Sequence, residues 1–389
     1  MSFLAKRITH SSKKNYGMFA KAAALAAGGA ELIHLELGRP VHDTPEHIKR
    51  ATIDALQAGK VHYSDLQGIS TLRTALAEKL RDFNGIDAAP EQILVTNGLT
   101  QASFAAFLAT VEAGDEVILL EPYYPQHVGK IELAGGKVVL APLDRANGFA
   151  LNAALIEPFI SSRTKAIVLV NPCNPTGRVY KREELEDLAA LAIRHDLLVI
   201  SDEVYDFITF DNARHISIAA LPGMAERTIS MYAFTKAYAM DGWRLGYAMA
   251  SPELIDGMLK VTANEVTHVN TFIQEGALAA VTGDQAPLLH MVQDDQKKRD
   301  LIVSALNQMP GVTCTPPEGT IYAFPDISAT GRTSQALADS ILEQCGVVVE
   351  AGGFYGQLAD RNLRICFGSQ PRERLEEAAI RLTSFFNRL

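Results

Sequence analysis

The sequence predicts an α/β protein with a large domain, in which a mostly parallel seven-stranded sheet lies between helices, and a smaller α+β domain. Two observations predict this fold. Seven runs rich in Val, Ile and Leu alternate with helical patterns, which is typical of parallel strands covered on both faces. From about Ser251 onward the pattern changes to long helices, and the chain ends in short strand-like runs followed by a final helix.

The individual elements follow from local signals along the chain. Residues 18–30 predict a helix that ends at a glycine pair, and residues 31–40 predict an extended segment. A cap and a proline begin a helix over 44–59, and further helices are expected over 98–112 and 183–195. The seven predicted strands are QILVTN, EVILLEP, GKVVLAP, KAIVLVNP, LLVISDE, TISMYAF and RLGYAMA.

Composition excludes several classes of protein. The formal net charge of −9 argues against nucleic acid and anionic membranes as partners, because both attract surplus Lys and Arg. The 4 cysteines lie far apart without a CxxC motif, so neither a zinc site nor a disulfide framework is expected. No apolar run reaches the roughly 18 residues of a spanning helix, and the N-terminus does not resemble a signal peptide. We therefore expect a cytoplasmic protein.

Candidate binding residues stand at the ends of the predicted strands, where ligands bind in open α/β sheets. Gly98, Leu99 and Thr100 lie at a strand-to-helix turn, where free N–H groups can bind an anion. Asp202 ends the apolar run LLVISD, and a carboxylate at that depth needs a donor or a cation, unless it caps a helix. Asn174 lies between two prolines in VNPCNPTGRVY, which fix its backbone.

Three cations lie in apolar surroundings. Lys236 and Arg244 belong to YAFTKAYAMDGWRLGY, which otherwise reads as core, and Arg364 lies in the strand-like run NLRICFG. A lysine in apolar surroundings has a lowered pKa and can act as a Schiff-base amine. Arginine suits a phosphate or a carboxylate, although Arg364 also fits an ordinary edge-strand arginine.

Together these residues describe one cofactor. A phosphate needs a helix N-terminus, hydroxyl groups and an arginine, whereas an aldehyde needs a lysine. A pyridine nitrogen that stays protonated needs a buried carboxylate. The set therefore predicts pyridoxal 5′-phosphate (PLP) and no metal.

From about Ala30 to Gly368 the chain resembles the class I (aspartate/aromatic-type) aminotransferases of the fold-type I PLP-dependent enzymes. The motifs NPCNPTG, SDEVY, TKAYAMDGWRLGY and PPEGTIYAFPDI carry the resemblance by their order and spacing. It implies an N-terminal segment over 1–45 that contributes to the small domain and covers the active site. A large PLP-binding domain over 46–285 and a C-terminal small domain over 286–389 follow.

The resemblance also implies roles for individual residues. Lys236 forms the Schiff base with PLP and then moves the substrate proton, and Asp202 pairs with the pyridinium nitrogen. Tyr205 and Asn174 donate hydrogen bonds to the 3′-oxygen of the cofactor, and Tyr124, in EPYYPQH, stacks on the ring. Lys236, Asp202 and Tyr205 are thus the predicted catalytic residues.

The remaining predicted residues bind the phosphate and the substrate carboxylate. The implied phosphate ligands are Gly98, Leu99, Thr100, Thr235 and Arg244. Tyr63, in YSDLQGISTLR, matches the tyrosine that reaches the phosphate of the neighbouring subunit, which implies a homodimer with shared active sites. Arg364 matches the arginine that binds the substrate α-carboxylate, with Gly38 and Asn174 nearby.

Two departures bear on affinity and specificity. Ala233 stands where the family usually has a serine, which removes a hydrogen bond to the phosphate worth roughly 1.5–3 kcal/mol. Dicarboxylate-specific relatives often carry a basic residue, supplied by the partner subunit, in the segment that corresponds to 263–274, which here offers only His268. The pocket-lining N-terminal segment offers Tyr16, Met18 and Phe19. We therefore expect an L-amino acid with a neutral or aromatic side chain, although Lys13, Lys14 and Arg39 have no assigned place.

The expected reaction is ping-pong transamination between an L-amino acid and a 2-oxo acid. A PLP-dependent β-elimination lyase (C–S lyase type) shares the first half of that reaction and is the main alternative. A transcription regulator with an aminotransferase-like domain would need more than the roughly thirty residues that precede the resemblance. A nicotinamide-dependent Rossmann enzyme would need a GxGxxG motif, which follows none of the predicted strands.

Overall fold

The computed structural model describes residues 3–11 and 17–389. Its strands are β1 (Ile33–His34), β2 (Ile93–Thr96), β3 (Glu116–Glu121), β4 (Lys137–Pro142), β5 (Thr164–Val170), β6 (Leu198–Asp202), β7 (Thr228–Ala233), β8 (Gly246–Met249), β9 (Tyr322–Ala323), β10 (Val347–Val348), β11 (Glu350–Ala351) and β12 (Leu363–Cys366). Its α-helices are α1 (Lys6–His10), α2 (Met18–Ala27), α3 (Glu46–Gln57), α4 (Ser70–Lys79), α5 (Leu99–Thr110), α6 (Gln126–Leu133), α7 (Ala153–Ile156), α8 (Arg182–Arg194), α9 (Pro252–Glu265), α10 (Thr271–Thr282), α11 (Ala286–Leu306), α12 (Ser334–Cys345) and α13 (Arg372–Phe386).

Seven strands form the central sheet in the order β2–β8–β7–β6–β5–β3–β4. Strand β8 pairs antiparallel with both of its neighbours, β7 and β2. The remaining pairs, from β7 across to β4, are parallel. The predicted mostly parallel, seven-stranded sheet is therefore confirmed. Each strand matches one of the seven predicted runs, and only β5 extends beyond its run, by the single residue Thr164.

Apolar side chains bury both faces of the central sheet, as continuous Val/Ile/Leu strands require. One core joins the sheet to α5, α6 and α9 through residues such as Phe107, Ile131 and Met258. A second core joins it to α7 and α8 through residues such as Ile156 and Leu188. Because the strands from β7 to β4 run parallel between these helix layers, their carboxyl ends lie at one edge of the sheet.

The two ends of the chain are joined by short strands. Strand β1 pairs parallel with β10, and β11, β12 and β9 form an antiparallel sheet in which Glu350 lies opposite Arg364. Met18 and Ile33 share a core with Leu337 near the other end of the chain. The domain limits over 1–45, 46–285 and 286–389 stay a prediction.

The N-terminal segments differ slightly from expectation. The predicted helix over 18–30 ends at Ala27, with Gly28 as its cap, whereas residues 31–40 form a strand only at β1. The strand is short because its partner β10 is itself 2 residues long. Within residues 3–11 and 17–389, no helix combines the length and apolar character needed to cross a membrane.

Candidate active site

The carboxyl edge of the central sheet opens into a cavity of about 520 Å³. Strands β5, β6 and β7 end at this cavity, and α5 begins there. Among the residues predicted from the sequence, those that line it are Gly38, Leu99, Thr100, Tyr124, Asn174, Asp202, Tyr205, Thr235, Lys236, Arg244 and Arg364. Gly98 and Tyr63 do not line it. The strand ends therefore gather nearly all of the predicted site.

Lys236 follows β7 and lies partly buried at the cavity wall. Its Nζ donates a hydrogen bond to the carbonyl oxygen of Gly38, which the segment after β1 brings across the cavity. Burial is the main cause that lowers the pKa of Lys236 to about 8. An amine with such a pKa is neutral often enough near neutral pH to serve as a nucleophile or a base.

Asp202 is the last residue of β6 and is 3% exposed. Its Oδ1 accepts a hydrogen bond from the N–H of Val204 at 3.2 Å, and its Oδ2 lies 3.5 Å from Nε2 of His127. His127 is fully buried on α6, and burial lowers its pKa, which favours the neutral ring. Sequence reasoning missed His127, although its position three residues after Tyr124 in a buried stretch was a usable signal.

The neighbouring carboxylate, Glu203, has a different environment. It is fully buried, and its Oε2 lies 2.8 Å from Nε2 of His215 and accepts a hydrogen bond from the Tyr232 hydroxyl at 3.0 Å. Glu203 does not line the cavity. The two adjacent acids in SDEVY therefore separate into a cavity residue, Asp202, and a residue of the protein interior.

Arg364 is held by aromatic rings and an amide. Its Cζ lies 4.3 Å from the ring centre of Tyr322 and 4.9 Å from that of Tyr355. Its Nη1 donates to Oδ1 of Asn174 at 3.2 Å, and the Tyr205 hydroxyl lies 2.8 Å from the Tyr322 hydroxyl. Tyr322 and Tyr355 line the cavity but were missed, although Tyr322 belongs to the motif PPEGTIYAFPDI. The arrangement fixes a planar cation at the cavity wall, where it can bind a carboxylate.

The start of α5 forms the anion-binding end of the cavity. Gly98 precedes it with φ 79°, and a Cβ at that position would lie 2.6 Å from Nη2 of Arg244. Glycine thus lets the guanidinium approach the helix N-terminus, even though Gly98 itself does not line the cavity. Arg244 is exposed in this chain, with Nη1 donating to the carbonyl of Asp241 at 2.8 Å. The apolar sequence around Arg244 suggested a buried side chain, and this expectation was wrong.

Lys130 is a further cation near the start of α5, and sequence reasoning missed it. It lies on α6, is 8% exposed and lines the cavity. Its Nζ donates to Oγ of Ser103 at 2.5 Å, and that hydroxyl bonds to the carbonyl of Leu99 at 2.9 Å. A nearly buried ammonium group therefore lies one turn from the N-terminus of α5. Nothing in the periodicity of the sequence separates it from a surface lysine.

Residues expected to come from a second subunit lie apart from the cavity. Tyr63 is 85% exposed, and its ring packs edge-to-face on His268 with 5.0 Å between the ring centres. Within the described part of the chain, no residue of 263–274 lines the cavity. Arg39 is exposed and does not line the cavity either.

The predicted pocket segment near the N-terminus contributes one residue to the cavity. Phe19 lines the cavity, whereas Met18, at 1% exposure, belongs to the core instead. Met18 begins α2 and packs in the same apolar core as Leu337 of α12. Tyr16, Lys13 and Lys14 lie outside the described residues.

Comparison with known proteins assigns the family. The family model for aminotransferase class I and II matches residues 30–382. The chain belongs to this family. It is 38% identical over 361 residues to an aspartate aminotransferase of Pyrococcus abyssi, with 92% of each chain covered. It is 35% identical to an arginine–pyruvate transaminase of Pseudomonas aeruginosa, covering 98% of this chain and 96% of that protein.

A solved structure agrees with this assignment. The aromatic aminotransferase of Pyrococcus horikoshii superposes with a TM-score of 0.90 at 36% identity, covering 94% of this chain and 99% of that chain. The resemblance, the fold class and the aminotransferase activity predicted from the sequence are therefore confirmed. The lyase alternative is not favoured, because these relatives are named as aminotransferases. Their names differ in the amino acid, so family membership leaves the substrate side chain open.

Proposed function

We propose that this aminotransferase uses PLP and transfers an amino group from an L-amino acid to a 2-oxo acid by a ping-pong mechanism. The family is known to use PLP, and the proposal for this chain rests on one observation. Lys236, Asp202, Asn174 and Arg364, which are distant in sequence, meet in one cavity of about 520 Å³ beside a helix N-terminus. An amine, a carboxylate, an amide and a guanidinium are the groups that PLP and an amino acid require.

The residues around the cavity fit the cofactor. The cradle at Gly98, the N-terminus of α5 and the nearby cations suit a phosphate, and the buried carboxylate suits a pyridinium nitrogen. When bound, PLP supplies an aldehyde that joins amines covalently and a ring that withdraws electrons from the substrate Cα. The residues proposed to hold it are Gly98, Leu99, Thr100, Thr235, Arg244 and Lys130 at the phosphate, and Tyr124, Asp202, Asn174, Tyr205 and Lys236 around the ring.

The chain's own groups then act on the substrate. Arg364 binds the α-carboxylate through its planar guanidinium, with Asn174 and Gly38 beside it. Lys236 takes the proton from the substrate Cα, a task that suits an amine whose pKa is about 8. Asp202, with Oδ2 3.5 Å from His127, stays in place as the charge partner of the ring nitrogen.

For the substrate side chain, we propose neutral or aromatic groups rather than acidic ones. Phe19, Leu37 and Phe354 line the cavity and offer an apolar wall. Two buried carboxylates, Glu36 and Glu350, also line it and would repel a side-chain carboxylate.

We propose further that the active unit is a homodimer, in which Tyr63 of each subunit reaches the phosphate held by the other. Its 85% exposure and the exposure of Arg244 support this, since a second subunit could cover both. A cytoplasmic location is proposed because the cysteines are free thiols, as expected in a reducing compartment. These are Cys173, Cys314, Cys345 and Cys366.

A spectroscopic half-reaction tests the proposed function. The purified protein is supplied with PLP, and single L-amino acids are added while the visible absorption of the bound cofactor is followed. Transamination predicts that some donors convert the band to that of the aminated cofactor and that a 2-oxo acid restores it. A band that persists while pyruvate and ammonia accumulate would contradict the proposal and indicate a lyase.

A further inference from the structure

Beside Arg364, the cavity is lined by two acids that the proposed reaction does not use. Glu36 and Glu350 are 2% and 3% exposed, and both line the cavity. They come from opposite ends of the chain, and the pairing of β1 with β10 and of β11 with β12 brings their segments together. Two buried carboxylates at one end of a ligand cavity repel each other unless a cation or a donor lies between them.

Glu36 has one carboxylate oxygen that accepts no hydrogen bond from the described part of the chain. Its Oε1 lies 2.8 Å from Nδ1 of His34. Its Oε2 is buried and has no hydrogen-bond partner within residues 3–11 and 17–389. A buried carboxylate oxygen without a donor is unfavourable, so a donor from a bound molecule would stabilise this position.

Glu350 adds a second carboxylate beside Glu36. The N–H of Met18 lies 3.2 Å from both carboxylate oxygens of Glu350, and the N–H of Ala351 donates at 3.1 Å. Burial is the main cause that raises the pKa of Glu350 to about 7. The charge of Arg364 and the N–H groups of Met18 and Ala351 act in the opposite direction, and Glu36 adds a smaller effect that raises the pKa. A cation bound near the pair would reverse this effect and favour the charged form.

Arg364 lowers the pKa of Glu350 through its charge, but not enough to cancel the effect of burial. It lies opposite Glu350 in the pairing of β11 with β12, but within the described residues it forms no ion pair with either acid at 4.0 Å or less. Its Nη1 donates to Asn174, and its Nη2 donates to the backbone carbonyl of Glu36. The guanidinium therefore bonds to an amide and a backbone carbonyl, and neither carboxylate is engaged in an ion pair with it.

We propose that Glu36 and Glu350 form a subsite for the cationic end of a long substrate side chain, a guanidinium or an ammonium group. With the α-carboxylate on Arg364, the methylene groups would pack along Phe19 and Leu37 before the cation meets the acids. This inference rests on the proposed function, because it uses the same cavity. It extends the substrate range from neutral and aromatic side chains to basic ones.

A matched pair of ligands tests the subsite without turnover. The compounds 5-guanidinopentanoate and 5-ureidopentanoate share a carboxylate and chain length, differ in the charge of the terminal group, and lack the α-amino group needed for reaction. Calorimetric titration of the PLP-loaded protein should give a dissociation constant about tenfold lower, or better, for the guanidino compound. Equal dissociation constants, or tighter binding of the ureido compound, would overturn the proposal.

Two isosteric variants show which groups are responsible. Glu36→Gln and Glu350→Gln should each lower the ratio of the two dissociation constants by about threefold to tenfold, because each removes one negative charge. The control is Glu376→Gln, which removes an exposed charge on α13 that pairs with Arg372 at 2.9 Å, and it should leave the ratio unchanged. Thermal unfolding of each variant verifies the fold. If the ratio of the two dissociation constants is unchanged in both Glu36→Gln and Glu350→Gln, the proposed subsite is refuted.

Assays with different amino donors distinguish a failure of the subsite from a failure of the proposed function on which it rests. In the absorption assay, L-arginine should react faster at low concentration than L-citrulline, its neutral isostere. If L-phenylalanine converts the cofactor band while arginine is no better than citrulline, the proposed function stands and the subsite is refuted. If no donor changes the band but the ligand ratio persists, the proposed function fails and the subsite stands.

Discussion

The two ends of the cavity are built in different ways. At the cofactor end, Asp202 is the last residue of β6, and Lys236 and the N-terminus of α5 follow β7 and β2 within a few residues. At the side-chain end, Glu36 and Glu350 come from opposite ends of the chain and are positioned by strands of 2 residues. The central sheet therefore positions the residues proposed to bind the cofactor. Pairs of two-residue strands that are distant in sequence position the residues proposed to contact the substrate side chain.

The two ends also differ in charge. Arg244 and Lys130 line the cavity near the start of α5, where the cofactor phosphate is proposed to bind, and Glu36 and Glu350 line it near Arg364. An anionic phosphate and a cationic or neutral side chain would therefore be drawn to opposite ends of one cavity. Substitutions at one end should therefore leave the binding preference of the other end unchanged.

Replacing Lys236 should abolish the reaction and leave the side-chain end intact. We expect Lys236→Ala to slow the amino-donor half-reaction by about 10³-fold or more, because the amine is both the proposed nucleophile and the base. Stopped-flow absorption measures this rate. The same variant should keep the preference for 5-guanidinopentanoate over its ureido isostere.

The control for Lys236 is Lys260→Ala, which removes an exposed lysine that pairs with Asp256 on α9. It should react at the parent rate. Near-parent turnover in Lys236→Ala would contradict the mechanism, and a lost ligand preference would show that the two ends are coupled.

Replacing Asp202 should mainly slow the reaction, whereas replacing the adjacent Glu203 should mainly lower the stability of the fold. Asp202→Ala is expected to slow the half-reaction by about 10²- to 10³-fold, because the charge partner of the ring nitrogen is lost. Glu203→Ala is expected to cost about 3–5 kcal/mol of unfolding free energy, because a buried pair with His215 is broken. Rates and urea unfolding curves of both variants distinguish the outcomes. Equal effects on rate and stability in the two variants would contradict the division seen in the structure.

The same difference explains what could be predicted from the sequence. Asp202, Asn174 and Lys236 follow apolar strands inside short motifs, so local spacing was enough to find them. Glu350 was not predictable, because only the register of β11 against β12 places it opposite Arg364 and at the cavity. Lys130 looked like any helix lysine, since its approach to Ser103 depends on how α6 packs on α5.

Lys130 should strengthen cofactor binding and have little effect on the side-chain end. Lys130→Met keeps much of the apolar length but removes the buried charge near the start of α5, where Ala233 provides no hydroxyl. We expect the dissociation constant for PLP to rise about tenfold. Equilibrium dialysis of the apoprotein measures it, with Lys137→Met, an exposed lysine on β4, as the control. An unchanged constant would show that the ammonium group does not contribute to PLP binding.

An effect no larger than that of Lys130→Met concerns the contribution of a second subunit to the cofactor end. Tyr63→Phe removes one hydroxyl from a ring that is 85% exposed in a single chain, so a folded monomer should lose almost nothing. If a dimer places this hydroxyl on the phosphate of the other subunit, the dissociation constant for PLP should rise about tenfold, the lower end of the effect of losing one hydrogen bond to a charged group. Light scattering establishes the oligomeric state, and Tyr238→Phe, which removes a hydroxyl bonded to Gln285, is the control. If Tyr63→Phe is a dimer with an unchanged dissociation constant for PLP, Tyr63 does not bind the phosphate of the other subunit. Each subunit would then form its cofactor site from its own residues.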